Sequence, residues 1–109
     1  MQMTSFLQDK QLTVALTGEI DHHGAKTTLR TIANKIDQFM PTLCVLDMRS
    51  VTFMDSSGIA IVIHTYRRMR ELDGILKIKN EPPQPLKVLD AAGIGRIVEI
   101  EGRLVVHEV

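Results

Sequence analysis

Two serines, an aspartate and a glycine stand together in the segment "FMDSSGIAIVIH", which runs from Phe53 to His64. The Asp55 carboxylate or the Ser56 hydroxyl can cap a helix, because each can accept hydrogen bonds from the free N–H groups of the first turn. One cap suffices for one helix, so capping does not account for all three polar side chains. A hydroxyl at a helix N-terminus in a surface loop is also suited to phosphorylation, since the N–H groups and the helix dipole favour the added charge of about −1.5 to −2. The pattern allows a helix cap, a phosphorylation site, or both.

Two other kinds of chemistry fit these residues less well. A hydrolase would use Ser56 or Ser57 as nucleophile, but a nucleophile elbow has the spacing G-x-S-x-G and this segment is "MDSSG". "DHH" at Asp21 to His23 offers metal ligands, yet adjacent histidines in an extended turn are expected to splay apart, and no third ligand shows helical spacing with them. The sequence therefore predicts neither a catalytic residue nor a bound metal or cofactor.

Strands and helices alternate along the first half of the chain. "LTVALT" at 12–17 alternates with period two, which predicts a strand that ends in a turn at Gly18, and "SFLQD" before it is a candidate partner strand. Apolar residues then recur every three or four positions from Ala25, which predicts a helix that Pro41 stops. The continuous apolar run "LCVLDM" is typical of a central strand covered on both faces. "DSSG" follows, where the chain leaves this strand for the next helix.

The second half of the chain continues the alternation. "IAIVI" contains strand-forming residues, but its apolar spacing extends over about 15 residues, too long for a strand, so we predict a helix with Ile59, Val62 and Tyr66 on its buried face. "ILKIK" is a predicted strand, a short helix is predicted from Pro85 to Gly93, and "RIVEI" and "RLVVHEV" are candidate terminal strands. The pattern predicts an α/β fold, a mixed β-sheet of about four or five strands flanked by helices.

Composition limits the class of protein. The chain has 109 residues, and its thirteen basic and thirteen acidic residues cancel. This balance argues against the broad positive surface that nucleic acid requires, and no apolar segment reaches the roughly 18 residues of a membrane span. Cys44, the only cysteine, lies in an apolar run and is expected to be a small buried hydrophobe. We expect one cytoplasmic domain over residues 1–109.

Two segments resemble the signature segments of the STAS domain family. They are "LTGEIDHH" at 16–23 and "LDMRSVTFMDSSGIA" at 46–60, and "PLKVLDAAGIGRIVEI" at 85–100 is similar to that family's last helix-and-turn region. "GEIDHH", with both histidines, is most similar to the bacterial anti-sigma factor antagonists of the sporulation type. The resemblance implies a single STAS domain.

The resemblance also implies a function. In that family the first serine of D-S-S-G is phosphorylated by a cognate anti-sigma factor serine kinase, and in this sequence that serine is Ser56. The unphosphorylated antagonist sequesters the kinase and so releases a sigma factor, and a PP2C-type phosphatase removes the phosphate again. ATP and magnesium would belong to the kinase. The resemblance thus implies a binding protein rather than an enzyme, with no cofactor of its own, that is a monomer or weak dimer.

Further residues are expected to contact the partner. The resemblance places Asp21 and Asp55 near Ser56 on neighbouring loops, where they would make the surface acidic. Ile61 and His64 are expected on the outward side of the second helix, beside this serine. The remaining expected contacts are His22, His23, Ser57 and Gly58. For the two adjacent histidines, stabilisation of a turn is the simpler alternative.

Two features leave alternatives open. STAS domains also occur in scaffold subunits of stress-signalling assemblies of the stressosome type, and particle size would distinguish a megadalton scaffold from a small antagonist. The chain also departs from the family at its end, because "EGRLVVHEV" is predicted to be a turn and a strand where the family has an amphipathic helix. Self-association could therefore differ from the family's pattern.

Overall fold

A five-stranded mixed β-sheet forms the centre of the computed structural model, which describes residues 1–101. Its strands lie side by side in chain order: β1 Gln2–Gln8, β2 Gln11–Ile20, β3 Leu43–Met54, β4 Ile75–Lys79 and β5 Glu99–Glu101. The helices are α1 His22–Phe39, α2 Ser56–Glu71 and α3 Pro83–Ala91, and a short 3₁₀ helix, Ile94–Arg96, precedes β5. The predicted α/β class with a mixed sheet is confirmed.

All three α-helices pack on one face of the sheet. β1 is antiparallel to β2, whereas β2 to β5 pair in parallel with one helix in each crossover. Crossovers between parallel strands are right-handed, and from β2 to β5 each new strand lies on the same side of the preceding strand. The crossover helices therefore lie on the same face of the sheet. Strand side chains that point to this face, among them Val14, Leu46 and Ile78, join one buried core. The carboxyl ends of the parallel strands share one edge, where the chain enters each helix.

The opposite face of the sheet carries no helix among residues 1–101. Thr13 of β2 pairs with Val45 of β3, and both side chains are buried on this face, although Phe6 of β1 beside them is exposed. Lys77 of β4 and Glu99 of β5 form an ion pair of 3.1 Å on the same face. The apolar run thus predicted the central strand β3 correctly, but within residues 1–101 helices cover only one of its faces, and on the other face Val45 is buried whereas Arg49 is exposed.

The structure corrects two boundaries in the first half of the chain. β2 does not end at Gly18 but continues to Ile20, and Gly18 has a positive φ of 91° beside a shift in the register with β3. Glycine adopts this conformation without a steric cost, so the strand bends there instead of ending. α1 begins at His22, three residues before the predicted Ala25, because Asp21 caps it.

Predictions for the second half agree more closely. "IAIVI" lies in a helix, "ILKIK" is a strand, and Gly93 has a positive φ of 72° just after α3. β5 is shorter than the predicted "RIVEI", because Ile94–Arg96 forms the 3₁₀ helix. The candidate strand "RLVVHEV" lies outside the described residues. Within residues 1–101, no helix has the length and apolar character needed to cross a membrane.

Candidate functional site

Two helices begin side by side at the carboxyl edge of the sheet. β2 and β3 pair in parallel up to Ile20 and Met54, and the Asp55 N–H donates to the Ile20 carbonyl over 3.0 Å. Asp21 and Asp55 follow these strands directly and precede α1 and α2. The structure thus places both aspartates, together with the first residues of the two helices, at one corner of the fold, which we call the β2–β3 corner.

Both aspartates of this corner are helix caps. Asp21 Oδ1 accepts a hydrogen bond from the His23 N–H at 3.0 Å, and Asp55 Oδ1 accepts one from the Ser57 N–H at 2.7 Å. Their backbones are extended, as N-cap residues require. Each carboxylate also lies at the positive end of a helix dipole, which stabilises its charge. Of the two caps that the sequence allowed for α2, Asp55 is the one observed.

Ser56, the first residue of α2, is left free by this arrangement. Its side chain is exposed, and within residues 1–101 its hydroxyl has no hydrogen-bond partner. Ser57 is half-buried, and its N–H donates the capping hydrogen bond to Asp55 Oδ1. Of the two serines, Ser56 therefore offers the more accessible hydroxyl to another protein.

Gly58 has a packing role in this corner. It is buried, and a Cβ added to it would lie 2.2 Å from the sulfur of Met54, whose side chain is fully buried. Only a residue without a side chain lets α2 begin so close to the end of β3. Gly58 was expected to contact the partner, and the structure instead places it beneath the surface.

The expectation that Ile61 faces outward is wrong, because its side chain is fully buried. Arg68 lies seven residues further along α2, hence on the same flank of the helix, and its guanidinium bonds to Asp37 of α1. That flank packs against α1, so Ile61 is enclosed between the two helices. Of the predicted buried face, Val62 is fully buried, whereas Ile59 and Tyr66 are only partly buried and pack against the core. The buried stripe of α2 is therefore rotated toward Ile61 relative to the prediction.

The three histidines of the expected site are exposed. His22 and His23 open α1 with their ring centroids 4.1 Å apart and tilted by 34°, so the expectation that they splay apart is wrong. Their backbone forms the first turn of a helix rather than an extended turn. His64 lies two turns into α2 on its outward side, as expected.

Gln84 of α3 supports the corner, although no motif in the sequence marks it. β4 pairs with β3 only up to Asp47, so within the described part of the chain the last residues of β3 have no strand on that side. Gln84 replaces it at Met54: the Met54 N–H donates to Gln84 Oε1, and Gln84 Nε2 donates to the Met54 carbonyl, both at 2.8 Å. Because Met54 directly precedes the cap of α2, this side chain fixes the base of the helix that carries Ser56.

The corner does not assemble a metal site or a nucleophile activated by a base within the described residues. No group of three His, Cys, Asp or Glu side chains in residues 1–101 is placed to hold a metal ion. Burial raises the pKa of the Cys44 thiol to about 12, so this side chain stays protonated and unreactive near neutral pH. What the corner offers is an exposed hydroxyl and two carboxylates at the starts of two helices, which suits recognition and modification by another protein.

Comparison with known proteins gives the class that this fold and corner define. The sequence pattern of the STAS domain matches residues 6–108, and the chain belongs to the STAS domain family. It is 28% identical over 89 residues to the anti-sigma F factor antagonist of Paenibacillus polymyxa, covering 82% of this chain and 76% of that protein. It is 30% identical over 82 residues to the anti-sigma F factor antagonist of Lysinibacillus sphaericus, covering 75% and 70%.

Solved structures share the fold. The anti-sigma factor antagonist SpoIIAA in its unphosphorylated form aligns with a TM-score of 0.81 at 24% identity, covering 94% of this chain and 90% of that one. SpoIIAA of Bacillus in the phosphorylated form aligns with a TM-score of 0.73 at 24% identity, covering 94% and 93%.

Proposed function

We propose that this protein is an anti-sigma factor antagonist whose binding is controlled by phosphorylation of Ser56. In the unphosphorylated form it sequesters an anti-sigma factor serine kinase and frees a sigma factor, and the phosphorylated form releases the kinase. The observation that carries the proposal is the exposed Ser56 hydroxyl at the start of α2, which has no hydrogen-bond partner among residues 1–101. The names of the two antagonist relatives, and the existence of SpoIIAA in both phosphorylation states, support it.

Phosphorylation of Ser56 requires no change in the fold. The kinase supplies ATP and magnesium, the serine oxygen bonds to the γ-phosphorus, ADP leaves, and a base outside this chain takes the hydroxyl proton. Because Asp55 already caps α2, the helix loses no hydrogen bond when Ser56 is modified. The N-terminal N–H groups and the helix dipole also favour the added phosphate. The modification changes the surface and leaves the core intact.

The phosphate weakens binding through charge and space. It adds a charge of about −1.5 to −2 to a corner that already holds the carboxylates of Asp21 and Asp55. A partner surface that packs closely against unmodified Ser56 must then desolvate or repel this charge. A hundredfold loss of affinity needs only about 2.7 kcal/mol, which one misplaced phosphate in an interface can supply. A PP2C-type phosphatase then restores the binding form.

The contact surface follows from exposure. Six residues remain partner contacts in this proposal, because each is exposed or partly exposed around Ser56: Asp21, His22, His23, Asp55, Ser57 and His64. Ile61 and Gly58 are excluded from direct contact by their burial. The proposed surface is therefore polar, centred on the starts of α1 and α2.

Substitution of Ser56 tests the proposal. We expect Ser56→Ala to bind the purified cognate kinase as tightly as the unmodified protein but to accept no phosphate. Ser56→Glu should bind at least tenfold more weakly, because it places a permanent charge at the same position. Binding is measured by calorimetry, and phosphorylation by mass spectrometry after incubation with kinase and ATP.

Ser57→Ala is the matched control, since it removes the hydroxyl of the next residue, which is less exposed than Ser56. This variant should still be phosphorylated on Ser56. Phosphate found only on Ser57 or Thr52, or tight kinase binding by Ser56→Glu, would contradict the assignment.

A further inference from the structure

A basic groove lies between the outward faces of α1 and α2. Its volume is about 460 Å³, and its cationic side chains are Lys26 and Arg30 from α1 and Arg67 and Arg68 from α2. Among residues 1–101, Glu71 is the one acidic side chain that lines it. In a chain with equal numbers of acidic and basic residues, this is a local excess of positive charge. We call this site the α1–α2 groove.

Most of this positive charge is free. Arg68 is held by carboxylates on both sides, at 2.5 Å from Asp37 of α1 and 3.2 Å from Glu71, so it connects the two helices at one end of the groove. Lys26, Arg30 and Arg67 are exposed and form no ion pair within residues 1–101. Three uncompensated cations therefore surround the groove and face solvent.

The groove also has an apolar component. Leu29 and Ala33 of α1 line it, and both are only partly buried. Leu29 also packs against the hydrophobic core. Nucleic acid binding relies on broad arrays of phosphate contacts, which three cations around a narrow groove do not provide. An acidic protein segment that carries an apolar side chain matches both the cations and the apolar residues Leu29 and Ala33 that line the groove.

The groove is continuous with the proposed site of phosphorylation. Helical periodicity puts Ser56, Ala60 and Arg67 within one stripe of α2, and all three are exposed or partly exposed. Arg67 lies about 16 Å from Ser56 along the helix axis, within reach of a partner of ordinary interface size. The end of this face at the β2–β3 corner carries the carboxylates of Asp21 and Asp55, whereas the end at the groove is cationic. The two ends of the face therefore carry opposite charge.

We propose that the α1–α2 groove is a second contact site for the partner and binds an acidic segment of it that carries an apolar side chain. The proposal rests on the function proposed above for the identity of the partner, but the chemistry of the groove stands on its own residues. Contact at the groove adds affinity that does not depend on Ser56, and the opposite charges of corner and groove set the orientation of the partner along α2.

A titration with a synthetic acidic peptide tests the groove by itself. A short peptide of alternating Glu and Leu, added to ¹⁵N-labelled protein, should shift the amide signals of Lys26, Arg30 and Arg67, and the shifts should weaken as salt is raised. A matching Lys and Leu peptide should shift none of them. Equal shifts with both peptides, or tighter binding of duplex DNA or anionic lipid vesicles at the same amides, would overturn the assignment.

Charge reversal connects the groove to the partner. Arg30→Glu with Arg67→Glu should lower the affinity for the purified anti-sigma kinase at least tenfold, mostly through slower association at low salt. The matched control is Lys87→Glu with Arg96→Glu, which changes the net charge equally at exposed positions outside the groove and should bind as the unmodified protein does. If circular dichroism shows that the charge-reversal variant is unfolded, Arg30→Gln with Arg67→Gln replaces it. This neutral variant should lose part of the affinity.

The outcomes separate the two proposals. Kinase binding that is lost in Ser56→Glu but unchanged in the groove variants rejects the groove and keeps the function. Peptide binding at the groove without any kinase binding by the unmodified protein keeps the groove chemistry and rejects the proposed partner.

Discussion

Gly58 occupies a position where the space for a single methyl group decides the local structure. A Cβ there would approach the Met54 sulfur to 2.2 Å and Cγ to 2.3 Å, and the Met54 side chain is itself fully buried. The two residues lie on either side of the Asp55 cap. Relief of the overlap therefore requires either that the enclosed Met54 side chain repacks or that the end of β3 or the start of α2 moves, and with it Ser56.

We expect Gly58→Ala to lower the free energy of unfolding by about 1–3 kcal/mol, the usual cost of overpacking a filled core. Gly24→Ala is a close control, because Gly24 is also the third residue of its helix, and its added Cβ would meet only the Met1 side chain, at 3.2 Å. That variant should be neutral or more stable by up to about 1 kcal/mol, since alanine favours helix. Urea unfolding measures both, and a Gly58→Ala protein as stable as Gly24→Ala would show that Met54 moves aside at no cost.

At the scale of elements, α3 contributes to the site through one side chain. Strand β4 stops short of the end of β3, and the Gln84 amide supplies the donor and acceptor that a strand would have given Met54. Met54 is fully buried, so water does not readily replace these bonds. The start of α2 thus depends on a helix that lies far from it in sequence.

Gln84→Leu should cost about 1–3 kcal/mol of stability, because it leaves the Met54 N–H without a partner. The loss should be local as well, with faster hydrogen exchange at Met54, Ser57 and Gly58 than elsewhere in the sheet. Gln38→Leu makes the same change at an exposed position of α1 with no side-chain hydrogen bond within residues 1–101, and should leave exchange unchanged. Uniform acceleration across all amides in Gln84→Leu would argue against a specific role in holding the corner.

At the scale of the whole molecule, Cys44 reports on the integrity of the core. It is the only cysteine, lies in the middle strand β3, and is fully buried under the helices. Burial raises the pKa of its thiol to about 12. In the unfolded chain the thiol ionises near its ordinary value of about 8.5, so the folded state binds more protons between these two values. Raising the pH above about 9 therefore favours the unfolded chain.

Thiol labelling should follow global unfolding. We expect a disulfide reagent to modify Cys44 at the rate of global opening, slowly in water and rapidly above the midpoint of urea unfolding. Ser50→Cys adds an exposed thiol to the same strand and should show one fast and one slow reaction. Fast labelling of Cys44 in the folded protein would indicate a sheet that opens locally and would contradict a single rigid core.

Local signals in the sequence predicted the elements because each depends on a few neighbouring residues. The apolar run around Cys44 predicted the central strand, the long apolar spacing after Ser57 predicted a helix, and Gly93 predicted the end of α3. The polar cluster at 55–57 predicted a helix start, and Asp55 is its cap. Capping, turn conformation and amphipathic spacing are short-range properties, so sequence alone determines them.

Contacts between elements were decided only by the tertiary structure. The periodicity of α2 alone predicted that Ile61 faces outward, but α1 packs over it. Arg68 of α2 bonds to Asp37 of α1 and so links the two helices. Gln84 and Met54 meet because two strands end at different heights, a fact that no local pattern contains. Sequence periodicity describes one element in isolation, whereas burial and hydrogen bonding between elements depend on how the sheet arranges them. The tertiary structure was therefore needed to separate the exposed hydroxyl of Ser56 from the packed residues around it.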